Sequence, residues 1–302
     1  MKLRIALLTG LVGLGVSGCS SLKPIQAYST AVVSGFGQAP TLPATFTDVY
    51  RLRTVEDSLG RHPFNRIPLI GLNFTDRVRA DSLRTYQRAD SLTRTLTQLL
   101  TAYFQAIGDL AASGSVLSPA PLIKSPSFDG FLQSSAVKLS VNQTVAVNQL
   151  ASVLGALATN RYRRRQLAQL IGESRDAVDR VLGAQAFAYG RLADVVDISR
   201  DQQYNQYKNV LIRDPKLTYL QKRDLARQWL QTEQIIEQNR KAVQCYVAWL
   251  KTVRAGYDVL YGRRDVLSQK STAAALAPYT ATLSTLPTDL AQFRPTNGRL
   301  YP

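Results

Sequence analysis

The chain is poor in the residues that most often carry chemistry. Its 302 residues include one histidine, His62, two cysteines, Cys19 and Cys245, and four glutamates, Glu56, Glu173, Glu233 and Glu237. A single histidine beside Pro63 supplies no set of imidazole ligands and no familiar His-dependent triad. A di-iron bundle needs several inward carboxylates with Glu-x-x-His pairs, and no such pair occurs. Cys-x-x-Cys, Gly-x-Ser-x-Gly and a glycine-rich phosphate loop are missing too, so thiol oxidoreductases, serine hydrolases and nucleotide enzymes lack their usual signatures. No catalytic residue, metal ligand or cofactor is assigned, and the chain is read as a non-enzyme. Glu233 and Glu237 lie one helical turn apart, where they serve as ion-pair partners for Arg240 or Lys241. The aspartates sit at helix starts or beside arginine, as in Asp176-Ala-Val-Asp179-Arg180, and capping and surface ion pairs account for them.

What is abundant is positive charge and apolar surface. Lysine and arginine total 37 against 21 acidic residues, a net charge of +16, and 45% of the residues are hydrophobic. The apolar content supports a sizeable core and excludes a disordered chain. The charge favours anionic partners. Its densest point is Arg161-Tyr162-Arg163-Arg164-Arg165, a candidate contact for anionic glycans or lipid headgroups. Nucleic acid is a more distant reading of the same arginines and tyrosine, by stacking; so is that of Tyr204 and Tyr207 ahead of Lys208.

Period-two alternation is never sustained, whereas spacings of three and four recur, so the expected fold class is all-α. Leu92, Leu96, Leu99, Tyr103, Ala106 and Leu110 form one stripe, within a helix expected over 75–113. It contains a short duplication, Arg79-Ala-Asp-Ser-Leu83 and Arg88-Ala-Asp-Ser-Leu92, whose nine-residue offset puts the two leucines on opposite sides. The segment 134–159 is apolar almost all round, as in a central buried helix. A short helix then runs to Ile171.

The strictest pattern comes last. Val178, Leu182, Gln185, Tyr189, Leu192, Val196, Ser199, Gln203, Gln206 and Val210 keep a 4-3 rhythm, and Leu225, Trp229, Thr232, Ile236, Asn239, Val243, Tyr246, Leu250, Val253, Tyr257 and Leu260 hold it for five heptads on a partner segment, with Asp214-Pro215 as the turn between them. The result is a coiled-coil-like antiparallel hairpin over about 176–268. Asn239 on the seam fixes register, with Gln185 or Tyr189 expected opposite. Ile235, Ala242 and Trp249 widen the apolar face beyond what two strands need. The architecture expected is therefore an elongated up-and-down bundle of three to five long helices, 75–113 and 134–171 supplying the others.

The first residues, MKLRIALLTGLVGLGVSGC, give an address. Lys2 and Arg4 precede an apolar run from Ile5 to Val16, too short for a span of roughly 20 residues, and Ser17-Gly18 lead into Cys19. The Val16-Ser17-Gly18-Cys19 ending resembles the lipobox of bacterial lipoproteins. That resemblance implies a signal peptide over 1–18, cleavage before Cys19, and a diacylglycerol on its thiol. Ser20, with no aspartate there, resembles the pattern of outer-membrane delivery, either leaflet being open. Behind it, Pro24, Gly35, Gly37, Pro40 and Pro43 suggest a tether over 19–47 with at most a short helix around 25–33. The bundle domain is expected over 48–286 and a tail over 287–302. With Cys19 acylated, Cys245 has no internal partner and is expected as a partly buried free thiol. Function follows as an expectation: a lipid-anchored envelope protein, a binding or scaffolding module whose partners are the membrane, envelope proteins or anionic glycan and lipid headgroups. The alternative is a membrane-active bundle that inserts 134–159, and a third reading is an enzyme of unassigned reaction.

Overall fold

The computed structural model describes residues 22–42, 44–51, 70–112, 140–156 and 163–293. Among them there is no strand, and the all-α class is observed. Seven helices carry labels here: α1 Lys23–Phe36, α2 Ile70–Ala111, α3 Val141–Ala156, α4 Arg163–Arg213, α5 Tyr219–Gly262, α6 Lys270–Ser284 and α7 Leu286–Gln292.

The backbone of the molecule is the hairpin of α4 and α5, 51 and 44 residues long, or about 77 and 66 Å at 1.5 Å per residue. The expected seam is buried over its inner part, Val178, Leu182, Gln185, Tyr189, Leu192, Val196, Ser199 and Gln203 on α4 and Ile236, Asn239, Val243, Tyr246, Leu250, Val253, Tyr257 and Leu260 on α5. It is not buried toward the turn, where Leu225, Trp229 and Thr232 are half-buried and Val210 is exposed. The short helix expected to end at Ile171 continues without a break into α4. Opposed charges flank the seam. Arg254 pairs with Asp179, Arg175 reaches Asp258 at 3.4 Å, and Arg240 reaches Asp197 at 3.5 Å.

These pairs fix a register different from the expected one. Tyr246 packs edge-on against Tyr189 with centroids 4.8 Å apart, and Arg240 meets Asp197, so Asn239 lies across from the 196–199 turn rather than from Gln185 or Tyr189. The cause is the turn. α4 runs to Arg213 and α5 starts only after the Thr218 cap, which moves the centre beyond Asp214 and slides every facing pair. Gln185 is instead tied to α2 by donating from Nε2 to Thr97 Oγ1 at 2.7 Å. Asn239 is fully buried, and among the described residues nothing hydrogen-bonds its side-chain amide. Asn239→Leu should therefore raise stability by about 1–2 kcal/mol, at some loss of register discrimination. A lower thermal midpoint in that variant would contradict this environment.

Three further expectations need correction. The tether over 19–47 is, from Lys23 to Phe36, a core helix. Ile25, Tyr28, Val32 and Phe36 are almost completely buried, each burial contributing roughly 1.5–3 kcal/mol. Gly35, one of the glycines that suggested a tether, is there for close packing, and Gly256 on the facing helix makes room in the same way. A Cβ on Gly35 would sit 2.0 Å from Trp249 Cζ2, and one on Gly256 of α5 would sit 2.6 Å from Tyr28 Cε2. Pro24 and Pro40 are likewise compatible, each standing in the first turn of its helix. The tail over 287–302 begins as α7, with Leu286 and Leu290 buried, so the bundle extends past 48–286 at both ends.

The third correction concerns the apolar segment 134–159. Its described part, α3, lies at the edge of the bundle against α4 and α2. Ala146, Val147 and Leu150 face inward, whereas Val141 is 79% and Val145 54% exposed. Cover for the wide face of α5 comes from elsewhere: Phe36 of α1 meets Trp249 edge-on at 5.0 Å, and Trp249 Nε1 donates to Leu283 O of α6 at 3.3 Å. α2 runs antiparallel to α4, Thr97 meeting Gln185 and Tyr103 meeting Ser174. In the duplication, Leu92 is buried and Leu83 half-buried. Asp90 of the second copy has a structural task, accepting from Phe46 N at 2.8 Å and Thr47 N at 2.9 Å to cap the helical turn 46–51. Burial pushes its carboxyl up, against the pull of these hydrogen bonds.

Candidate interaction site on the projecting hairpin

The core stops well short of the hairpin tip. The last fully buried seam residues are Gln203 on α4 and Ile236 on α5, and among the described side chains from 204 to 235 none is buried. From Ile236 back to Tyr219 is 17 residues of helix, so the hairpin projects about 25 Å beyond the core. Its stem is held by aromatic packing across the seam. Trp229 of α5 is stacked by Tyr207 at 5.7 Å and flanked by Tyr204 at 5.5 Å, both from α4. These two tyrosines close the hairpin, which is the use the structure finds for rings that sequence alone left available for stacking on bases.

The turn is built from side-chain caps. Asp214 Oδ1 accepts from Lys216 N at 2.9 Å. Thr218 and Gln221 form a reciprocal capping box, Gln221 N donating to Thr218 Oγ1 and Thr218 N to Gln221 Oε1, which satisfies donors that a helix start otherwise leaves to water. Beyond this frame the tip is both apolar and basic. Val210 is 44%, Ile212 67%, Tyr219 79% and Leu220 57% exposed. Between 208 and 223 the sequence carries five cations, Lys208, Arg213, Lys216, Lys222 and Arg223, and one acid, Asp214.

The opposite pole is basic as well. Of the candidate cluster, Arg161 and Tyr162 lie outside the described residues, as does Cys19; Arg163 and Arg164 open α4, and Arg165 is exposed in its first turn. Near it, the guanidinium groups of Arg264 and Arg175 sit over the Tyr261 ring at 4.5 and 5.1 Å. α1 points its start toward this pole, since Tyr28 OH donates to Val253 O while Gly35 packs on Trp249, nearer the hairpin.

Between the poles the polar groups of the core serve packing. Tyr103 OH meets Ser174 Oγ at 2.6 Å and Tyr257 OH at 2.7 Å, and Tyr257 OH donates to Ile171 O. Burial pushes Tyr257 and Tyr189 up to about 12 and holds Tyr28, Tyr103 and Tyr246 well above the usual tyrosine range. These phenols stay neutral in any ordinary medium. Glu237 is held below the usual range by hydrogen bonds from Arg240, with Lys241 3.6 Å away, and this ion-pair use matches the expectation. Cys245 is a half-buried free thiol, pushed up by burial and by Asp289. Among the described residues no group of three His, Cys, Asp or Glu could hold a metal, and no described helix is long and apolar enough to cross a membrane.

Sequence reasoning missed the tip. Ile212, Tyr219 and Leu220 fall outside the seam rhythm, and apolar residues off the seam on both sides of a turn were the available signal. Comparison with protein-family models, curated proteins and solved structures yields no match.

Proposed function

We infer that the chain is a lipid-anchored envelope protein of the outer membrane, a non-enzymatic binding or scaffolding module that holds its projecting hairpin away from the anchor. The observation that carries this reading is the polarity of the bundle. α1 starts at the pole where α5 ends, Cys19 lies four residues ahead of Lys23, and the hairpin tip lies at the other pole. From the level of Val253 to Tyr219 is 34 residues of α5, so the anchored and projecting ends stand on the order of 50–60 Å apart. Exposed Arg165 and the Arg264–Tyr261 contact at the anchored pole suit anionic headgroups.

Mass spectrometry on the membrane fraction of crosslinked cells tests both halves. The N-terminal peptide should begin at Cys19 and carry the mass of its acyl chains, and crosslinked adducts should map to 204–231 in preference to the α6 surface. An unacylated Cys19 would remove the anchor, and adducts spread evenly over the surface would remove the hairpin's role. A second reading, insertion of the segment containing α3, draws on the exposure of Val141 and Val145. It requires liposome leakage that a charge at Val145 abolishes.

A further inference from the structure

We propose that the hairpin tip, residues 208–223, is a peripheral binding site for an anionic phospholipid bilayer, entered by Ile212, Tyr219 and Leu220 and held by the surrounding lysines and arginines. This deepens the reading above and rests on it only for the position of the anchor at the other pole.

Three observations select the occupant. The first is charge. Five cations against Asp214 between 208 and 223 call for an anionic surface. Asp214 already accepts from the Lys216 backbone N–H in the turn, and the next acid, Asp224, is taken by Arg223 and Arg227, which leaves Lys208, Arg213, Lys216 and Lys222 as the cations of the tip. The same charge opposes a second copy, whose tip would bring like charges together. The second is the distribution of apolar side chains. Val210 and Ile212 are two residues apart on α4, about 200° around the helix, and Tyr219 and Leu220 are about 100° apart on α5. All four are at least 44% exposed. Apolar surface therefore wraps the tip instead of forming the single stripe that a protein groove reads. A bilayer interface accepts apolar side chains from any azimuth, with cations at headgroup level.

The third observation is the frame. The capping box, the Asp214 turn and the Tyr204–Trp229–Tyr207 packing satisfy the tip's backbone and stiffen its stem. The apolar residues are thus presented on a preformed end, and little ordering opposes contact. Because the tip is the far pole, the bilayer it meets is a second surface rather than the one that holds Cys19.

The test uses the chain as cells process it, reconstituted into neutral phosphatidylcholine vesicles, with Tyr219→Trp as reporter and the unsubstituted chain subtracting Trp229 and Trp249. Acceptor vesicles carry brominated lipid with or without phosphatidylglycerol. The emission added at position 219 should shift to the blue and fall by about half on anionic acceptors, since interfacial apolar residues bury about 5–10 Å. It should recover at about 1 M salt, where screening acts within about 3 Å.

Lys208→Glu, Arg213→Glu and Lys216→Glu together should weaken acceptor binding about a hundredfold or more, at roughly fivefold per cation near an anionic surface. Ile212→Ser with Leu220→Ser should abolish the quenching while binding at low salt persists. All five positions are exposed, and unchanged helicity by circular dichroism confirms that the variants are folded. Equal quenching on neutral acceptors, no quenching at all, or a blue shift that depends on protein concentration without acceptors would each overturn the proposal, the last in favour of self-association. An unacylated Cys19 overturns the anchor and leaves this readout standing, whereas a silent tip leaves the anchor standing.

Discussion

Tyr28→Ala should lower the stability of the fold by about 3–5 kcal/mol, the range for truncating a large buried ring. For a folded body of this size that is a fall in thermal midpoint of roughly 6–20 °C, at about 2–4 °C per kcal/mol. Tyr28 is completely buried, lies edge-on to Phe104 with centroids 6.1 Å apart, donates to Val253 O at 2.7 Å, and fills the space above Gly256. Truncation removes the ring from the junction of α1, α2 and α5 and leaves a cavity there. Tyr28→Phe keeps the ring and loses the hydrogen bond, so it should cost only about 1 kcal/mol. Urea or thermal denaturation of the two variants distinguishes a core helix from a tether. An unchanged midpoint for Tyr28→Ala would place α1 outside the cooperative unit.

Alkali should unfold the protein in one step between about pH 10 and 12. The fold holds five tyrosines above the value they have in an unfolded chain, with Tyr189 and Tyr257 pushed up to about 12, chiefly by burial. A raised phenol pKa means that the folded state keeps its proton where the unfolded state has lost it. The stability involved is fully present below pH 10 and falls as pH rises through the folded values. Tyr189 and Tyr257 each cost the fold about 2–3 kcal/mol across that window, and with the other three the sum reaches the net stability of an ordinary domain, about 5–15 kcal/mol. Tyrosinate absorbance and helicity should therefore change together for the buried rings, after an earlier phase for the exposed ones. Full tyrosinate formation with helicity intact would show that the phenols are open to solvent.

The hairpin was legible because its seam repeats over many turns, so that a few polar positions could not obscure it. Register was not. It depends on where α4 ends and α5 begins, and the capping box at Thr218 and Gln221, four residues past Asp214, settles that. The segment read as a tether failed for a different reason. Gly35 carries opposite local and tertiary meanings, breaker in isolation and close-packing surface opposite Trp249, and only the partner helix decides between them. For α3, composition showed an apolar helix without showing its neighbours, and Val141 and Val145 face outward because α2 and α4 cover one side alone. At the candidate site, the arginine cluster was visible as a run of charge. The tip needed the end of the core to be located before Ile212, Tyr219 and Leu220 stood out as exposed.

The seating of α1 also sets an order of events in biosynthesis. Tyr28 bonds a carbonyl 225 residues away in sequence, and Gly35 fits against a tryptophan almost as distant. The earliest described helix can dock early on α2, where Tyr28 and Phe36 meet Phe104, but its seat is completed only when α5 has been made and folded back on α4. Loop closure over such a span is slow compared with local helix formation. Until then the part of the α1 face that meets α5 stays uncovered, and this early, apolar helix is the segment for which a holding chaperone has the longest use during synthesis.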